Sequence, residues 1–145
     1  MQPEEISEKY NQAMALSAQG KFNASIELLA PHVSDQVEDK ELLANMRYLM
    51  GLDHWRVGLY NDAVVYFEKS LVQLKELRLY KRLPSIKNSL GLIQRKSGDY
   101  RDALVHFLEG LFYAFQFPFW LLAAELWARS KPHQRNFELG RFLGG

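Results

Sequence analysis

The chain has 145 residues, the size of one domain, and 48% apolar with 13% aromatic residues exclude a disordered polypeptide. Its 18 basic and 17 acidic residues leave a net charge of +1, too balanced for a dedicated nucleic-acid or membrane-surface protein. It has no cysteine, which excludes disulfides and thiolate chemistry and is typical of a cytoplasmic protein.

Apolar residues recur at helical spacing along almost the whole chain, which predicts an all-α fold. The first helix is predicted over residues 3–18, and Asn23 is expected to cap a second helix that Pro31 shortens or kinks. Residues 34–41 are polar and acidic and are predicted to connect this pair to a helix over residues 40–57. Asn61 or Asp62 is then expected to open a helix that reaches residue 79.

The second half of the chain continues the same pattern. Pro84 suits the first turn of a helix that ends at residues 97–98. Residues 99–102 open the next helix, which is expected to reach residue 116. A seventh helix is predicted over residues 119–130, after a break at Pro118.

A seven-residue spacing of small residues marks each helix pair. Gly51 and Gly58 are seven apart, and so are Gly91 and Gly98. In both copies an aromatic, an alanine and a phenylalanine follow at equal intervals: Tyr60, Ala63 and Phe67 in one, and Tyr100, Ala103 and Phe107 in the other. A weaker copy precedes them in the chain and consists of Ala13, Gly20, Phe22, Ser25 and Leu29. The turn glycines are 38 and then 40 residues apart, an interval typical of stacked repeats.

The glycines at the first position of this spacing lie inside helices. A glycine there costs about 1 kcal/mol relative to alanine, so two at equivalent positions indicate a packing reason. We expect Gly51 and Gly91 to let the second helix of each pair approach closely, with Ala63 and Ala103 as the matching small residues and Phe67 and Phe107 filling the space one turn further on.

The segments LMGLDHWRVGLYNDAVVYFEKSL and NSLGLIQRKSGDYRDALVHFLEGL resemble the tetratricopeptide repeat, with MALSAQGKFNASIELL as a degenerate first copy. The resemblance implies three repeats over about residues 4–34, 40–79 and 84–116 in one domain spanning residues 1–145. It implies a right-handed superhelix of antiparallel helix pairs, an α-solenoid with a capping helix and tail over residues 119–145. Such a fold is expected to bind other proteins.

In that family the first helix of each pair lines a concave groove. Transferring the register from the turn glycines predicts a groove formed by Tyr10, Met14, Asn45, Tyr48, Leu52, Trp55, Arg56, Asn88, Leu92, Arg95 and Lys96. Such a surface suits a peptide or helix with apolar anchors and acidic residues. Alternatively, Trp55 and Leu52 are core residues packed against the neighbouring repeat.

One subfamily of these repeats clamps a C-terminal carboxylate with lysine, asparagine and arginine side chains. The corresponding positions here hold none of them; they are occupied by Tyr10, Met14, Leu49, Ser85 and Ser89. The sequence therefore argues against this clamp.

No motif points to an enzyme, a metal or a cofactor. The four histidines are scattered, and the acidic residues of the first connection lack the glycine and final glutamate of a calcium loop. Phosphate loops and nucleophile elbows are absent from the sequence. His54, beside Trp55, is expected to be a structural histidine.

A basic run lies at the end of the predicted fourth helix and comprises Lys75, Arg78, Lys81 and Arg82. We expect these side chains to complement a helix C-terminus, where positive charge is favourable. RNA or an acidic partner is the alternative, and the balanced net charge counts against RNA.

The segment LFYAFQFPFWLLAAELWA is apolar around most of its circumference and must be covered. It could cap the third repeat, pair with a second copy of the chain, or meet a further domain. The second possibility makes the protein a homo-oligomerisation module through Phe119, Trp120, Leu122 and Trp127. The third makes it a regulatory part of a larger signalling protein.

Overall fold

The computed structural model describes residues 2–115 together with residues 126 and 127. Within residues 2–115 the chain forms six α-helices and one 3₁₀ turn, and no strand. The elements are α1 (Pro3–Ala18), α2 (Phe22–Leu29), the 3₁₀ turn (Ala30–His32), α3 (Lys40–Arg56), α4 (Tyr60–Glu76), α5 (Leu83–Ser97) and α6 (Tyr100–Ala114). The all-α prediction is confirmed for this part of the chain, whereas the seventh predicted helix lies outside it except for residues 126 and 127.

The helices pack as sequence neighbours. α1 packs on α2, α3 on α4 and α5 on α6, with the last two pairs the most extensive. Successive pairs meet mainly through α2 against α3 and through α4 against α5. The second helix of one pair therefore supports the first helix of the next.

The three turns inside the pairs share one geometry. Each contains a glycine in the left-handed conformation, with φ of 77°, 85° and 88° at Gly20, Gly58 and Gly98. The residue after each glycine donates its N–H to a carbonyl five residues back; these bonds run from Lys21 to Leu16, from Leu59 to His54 and from Asp99 to Gln94. This is the Schellman arrangement that ends helices, and it confirms the predicted role of the turn glycines.

The same turn shows why the predicted caps were wrong. The residue after each glycine also accepts the first hydrogen bond of the next helix, as Lys21 does from Ser25 and Leu59 does from Ala63. One residue thus ends a helix and begins another. The second helices therefore begin earlier than predicted, and neither Asn23 nor Asn61 nor Asp62 is a cap.

The mid-helix glycines do permit close packing. A Cβ added at Gly51 would lie 2.7 Å from the Phe67 ring, and one added at Gly91 would lie 2.6 Å from the Phe107 ring. Neither distance is possible for a real side chain unless the ring moves. The predicted reason for both glycines is therefore confirmed.

Other helix ends follow local rules. Asp39 accepts a hydrogen bond from the Leu42 N–H at 3.0 Å and so caps α3, which the sequence analysis did not foresee. α2 is short, as Pro31 predicted. α4 ends at Glu76 rather than residue 79, because Arg78 adopts a left-handed conformation with φ of 57° and closes the helix.

Two apolar clusters form the core. One joins α1 and α2 to α3, and the other joins α3 and α4 to α5. Phe67, completely buried, belongs to the second cluster and lies 6.1 Å from the Tyr48 ring, centre to centre. Within residues 2–115, none of the helices is long and apolar enough to cross a membrane.

Candidate functional site

A cavity of about 580 Å³ opens between the first helices of the first two pairs. We call it the α1–α3 cavity. It is lined by Tyr10, Met14, Ser17 and Ala18 of α1, Gly20 and Phe22 at the turn, Tyr48, Leu49, Leu52 and Arg56 of α3, and Arg82 before α5. The helical period explains most of this lining, because residues four apart share one face of a helix.

Five residues of the predicted groove lie together in this cavity. They are Tyr10, Met14, Tyr48, Leu52 and Arg56. Tyr10 is 9% exposed and Met14 is 38% exposed, so the cavity deepens from an open apolar edge to a buried phenol. Both parts can accept an apolar side chain.

Arg82 is the lining residue that the sequence analysis assigned to a different role. It precedes α5, and its guanidinium carbon lies 4.9 Å from the centre of the Tyr48 ring. A cation over an aromatic face is attracted by the ring's quadrupole. The expected role of Arg82 at the C-terminus of α4 is therefore wrong, because it stands at the N-terminus of α5. Lys75 does lie in the last turn of α4.

The positive charge of Arg82 affects the pKa of the buried Tyr10 side chain. Burial raises the pKa of Tyr10, the nearby Tyr48 adds to that rise, and the positive charge of Arg82 opposes it. Tyr10 therefore stays protonated at neutral pH, and its hydroxyl can donate a hydrogen bond.

The cavity has a positive edge. Arg56 is exposed and lies 4.8 Å from the centre of the Trp55 ring, measured from its guanidinium carbon. Together with Arg82 it supplies two positive charges, and none of the lining residues is acidic. Such an edge favours a negatively charged group on whatever occupies the apolar part.

The remaining predicted groove residues lie outside the cavity lining, and these are Asn45, Trp55, Asn88, Leu92, Arg95 and Lys96. Trp55 is half-buried against the second apolar cluster, as are Tyr48 and Leu52, so the core alternative holds in part for these side chains. Lys96 donates to the Tyr60 hydroxyl at 2.5 Å and lies 4.7 Å from the Tyr60 ring centre, which links α5 to α4. Arg95 is exposed.

A buried carboxyl group supports the wall of the cavity. Asp53 of α3 is fully buried and accepts a hydrogen bond of 2.6 Å from the Ser17 hydroxyl. Ser25 also favours the charged carboxylate, yet neither its Oγ nor Asp53 Oδ2 makes a hydrogen bond of ordinary geometry. Burial dominates and raises the pKa of Asp53.

His54 next to it is structural, as predicted. Its Nδ1 lies 2.7 Å from the Met50 carbonyl oxygen, and its ring packs 5.1 Å from that of Tyr66, centre to centre. The histidine is 8% exposed.

A second cavity, of about 590 Å³, lies between the first connection, α3 and α4. Its charges are balanced and partly paired. Arg47 contacts Asp35 at 2.6 Å and donates to Gln73 at 3.0 Å. The Arg47–Asp35 pair keeps the pKa of Asp35 below its ordinary value. Because Arg47 already has an acidic partner and three acidic residues line this cavity, it offers less to an anionic ligand than the α1–α3 cavity.

Across residues 2–115, no group of three His, Asp or Glu side chains is placed to hold a metal ion. Of the expected oligomer contacts, Phe119, Trp120 and Leu122 lie outside the described residues. Trp127 is half-buried.

Comparison with known proteins finds no matching protein-family model, no matching curated protein and no matching solved structure. The resemblance to the tetratricopeptide repeat consequently rests on the motif of the chain itself.

Proposed function

We propose that the chain is a binding module that holds a segment of a partner protein in the α1–α3 cavity. The pairwise packing of its helices and the repeated glycine motif support a tetratricopeptide-like superhelix with this cavity on its concave side. In this proposal the protein acts in the cytoplasm, without catalysis or a cofactor.

The observation that carries the proposal is the pairing of an apolar trough with an unbalanced positive edge. Met14, Tyr48 and Leu52 provide the trough, and Arg56 and Arg82 provide the charge. Aromatic and arginine side chains are the usual energetic anchors of protein interfaces. A cavity that is only a packing defect has no reason to collect two arginines among lining residues of which none is acidic.

The cavity selects the chemistry of its occupant. An apolar side chain fits against Met14 and Leu52, and an acidic side chain beside it reaches Arg82 or Arg56. Arg82 is half-buried and held over the Tyr48 ring, so it loses less side-chain freedom on binding than a free surface arginine does. We therefore assign the carboxylate mainly to Arg82.

The test is a selection of random peptides displayed on phage against the immobilised full chain. We expect enriched peptides to combine an aromatic or large aliphatic residue with a nearby Asp or Glu. Tyr48→Ala and Arg82→Glu should each weaken the binding of an enriched peptide about 10- to 100-fold. Arg95→Glu is the matched control, because Arg95 is exposed and outside the cavity lining, and it should change the affinity less than about threefold.

Two results would contradict the proposal. One is that no peptide is enriched over a blank surface. The other is that Tyr48→Ala and Arg82→Glu, with helicity retained by circular dichroism, bind the enriched peptides as the wild type does. If the enriched peptides contain no acidic residues, the cavity remains the proposed binding site, but the proposed contact of Arg82 with a carboxylate is wrong.

A further inference from the structure

α6 carries a broad apolar face, of which Leu111, Phe112 and Phe115 belong to the apolar segment that begins at residue 111. Five of its side chains and that of the residue just after it form this surface, which we call the α6 face: Leu104, Val105, Leu108, Leu111, Phe112 and, beyond the helix end, Phe115. Each is between 45% and 66% exposed, and none is charged. A continuous exposed apolar surface of this kind marks an interaction site.

The repeat shows how such a face is used. Leu71 of α4 and Leu111 of α6 are 40 residues apart and correspond in the repeat, yet Leu71 is 8% exposed and Leu111 is 52% exposed. Leu71 is covered because α5 packs on α4 with aliphatic side chains such as Leu83 and Ile86. At Leu111 the α6 face therefore resembles a surface that receives another apolar helix, whereas Val65 and Val72, which correspond to Val105 and Phe112, are exposed on α4 as well.

The apolar residues of the α6 face are spaced symmetrically along the helix. Leu104, Leu108, Leu111 and Phe115 follow each other at intervals of four, three and four, the spacing of a coiled-coil seam. Read in reverse the intervals are the same. Two copies of α6 in antiparallel arrangement therefore match layer by layer.

We propose that the occupant of the α6 face is a second copy of this chain, related by a two-fold axis. In this dimer Leu108 of one copy faces Leu111 of the other at the centre, and Leu104 faces Phe115 at each end. An uncharged face is compatible with its own copy, whereas a patch of one charge sign repels itself. The proposal is independent of the α1–α3 cavity.

The other end of the helix array does not compete for the α6 face. The exposed side of α1 is polar and acidic, with Glu4, Glu5 and Glu8. An α6 face docked there would bury carboxylates against leucine and phenylalanine at a large desolvation cost. Head-to-tail chains of copies, with the α6 face docked on α1, are therefore disfavoured.

The contact is small. α6 has 15 residues, so it is about 22 Å long. Interfaces of this size are at the weak end of specific association, and we expect a dissociation constant on the order of 10 µM.

Sedimentation velocity of the full chain from about 1 to about 200 µM tests the dimer. We expect the mass to rise with concentration from 16.9 kDa towards twice that value. Leu108→Glu and Leu111→Glu should each raise the dissociation constant at least about 100-fold, because each places carboxylates at the centre of the contact. Val65→Glu is the control: Val65 is 48% exposed on α4, outside the α6 face, and should leave dimerisation unchanged.

Disulfide trapping tests the orientation and does not depend on the glutamate variants folding. The chain has no cysteine, so introduced thiols report on single positions. Under mild oxidation, a mixture of Leu104→Cys and Phe115→Cys chains should form mixed dimers, and either variant alone should form few, since bridged Cα atoms must lie within about 7 Å.

Three results would overturn the proposal. The first is a monomer at every concentration, which includes the case in which residues 116–145 of the same chain cover the face. The second is a dimer that both glutamate variants leave intact while retaining wild-type helicity. The third is efficient trapping of Leu104→Cys with itself, which indicates a parallel arrangement.

Discussion

Replacing each mid-helix glycine by alanine should separate two effects that the sequence alone combines. In Gly51→Ala the new Cβ meets the Phe67 ring at 2.7 Å, against an ordinary contact of 3.4–4 Å, so the ring must move by about 0.7 Å or more. Phe67 is 0% exposed and is packed within the second apolar cluster. In Gly91→Ala the distance is 2.6 Å, but Phe107 is half-buried and can turn towards solvent.

The magnitudes follow from this difference. Alanine gains about 1 kcal/mol over glycine in a helix interior. Overpacking a rigid core costs about 1–3 kcal/mol, and the fully enclosed Phe67 places Gly51→Ala in the upper part of that range. We expect Gly51→Ala to lower the free energy of unfolding by about 1–2 kcal/mol and Tm by about 2–8 °C. The free energy of unfolding of Gly91→Ala should stay within about 0.5 kcal/mol of the wild-type value, because the cost of overpacking and the gain in helix propensity nearly cancel.

Urea denaturation followed by circular dichroism measures both variants. A smaller ring partner provides the control: Gly51→Ala should cost less when combined with Phe67→Leu than it does alone, and a double-mutant cycle isolates that coupling. The reasoning fails if Gly51→Ala is as stable as the wild type, or if Gly91→Ala is the more damaging change.

Three further substitutions test individual groups. Burial raises the pKa of Asp53 above its ordinary 3.8, so the folded protein loses stability as the pH rises through the raised value. Asp53→Asn should therefore have a higher Tm than the wild type at pH 7, and this difference in Tm should vanish near pH 3. A pH-independent difference in Tm would contradict this. Arg78→Gly should raise the free energy of unfolding by about 1 kcal/mol in urea denaturation, since Arg78 has φ of 57° and glycine adopts that conformation without strain. Asp39→Ala should lower the same quantity by about 1 kcal/mol by removing the acceptor of the Leu42 N–H, and Asp39→Asn should largely restore it.

The features that the sequence predicted are those decided within a few residues. A glycine seven residues after another small residue can end a helix because its backbone tolerates positive φ, and Gly20, Gly58 and Gly98 all do so. The packing of Gly51 on Phe67 could also be predicted, since it depends only on two helices joined by a short turn. The true starts of the second helices could not be predicted in this way. Asparagine's preference for cap positions suggested Asn23 and Asn61, but the hydrogen bonds of the shared turn make the residue after each glycine the first residue of the next helix's hydrogen-bond ladder.

The site itself depends on contacts between pairs, which the repeat pattern does not encode. Arg82 reaches the Tyr48 ring because α5 begins beside α3, and nothing in the residues around Arg82 distinguishes it from its neighbours Lys81 and Arg78. The N-terminal half of the α6 face, with Leu104, Val105 and Leu108, could not be predicted for a related reason. A buried Leu71 and an exposed Leu111 look alike in the sequence, and only the packing of α5 on α4 separates them.

The two proposed surfaces lie on different helices, and this separation makes a prediction of its own. No residue of α6 lines the α1–α3 cavity, and no residue of the α6 face contributes to the cluster that holds Tyr10 and Leu49. Coupling between binding events requires that each ligand favour one of two states of a shared element. The monomeric Leu108→Glu chain should therefore bind a selected peptide within about twofold of the wild-type affinity, and Arg82→Glu should leave the dissociation constant of the dimer unchanged. Fluorescence anisotropy of a labelled peptide, measured with the wild type above and below the concentration at which it dimerises, provides the check. An affinity that changes with the degree of dimerisation would show that the helix pairs move as the dimer forms.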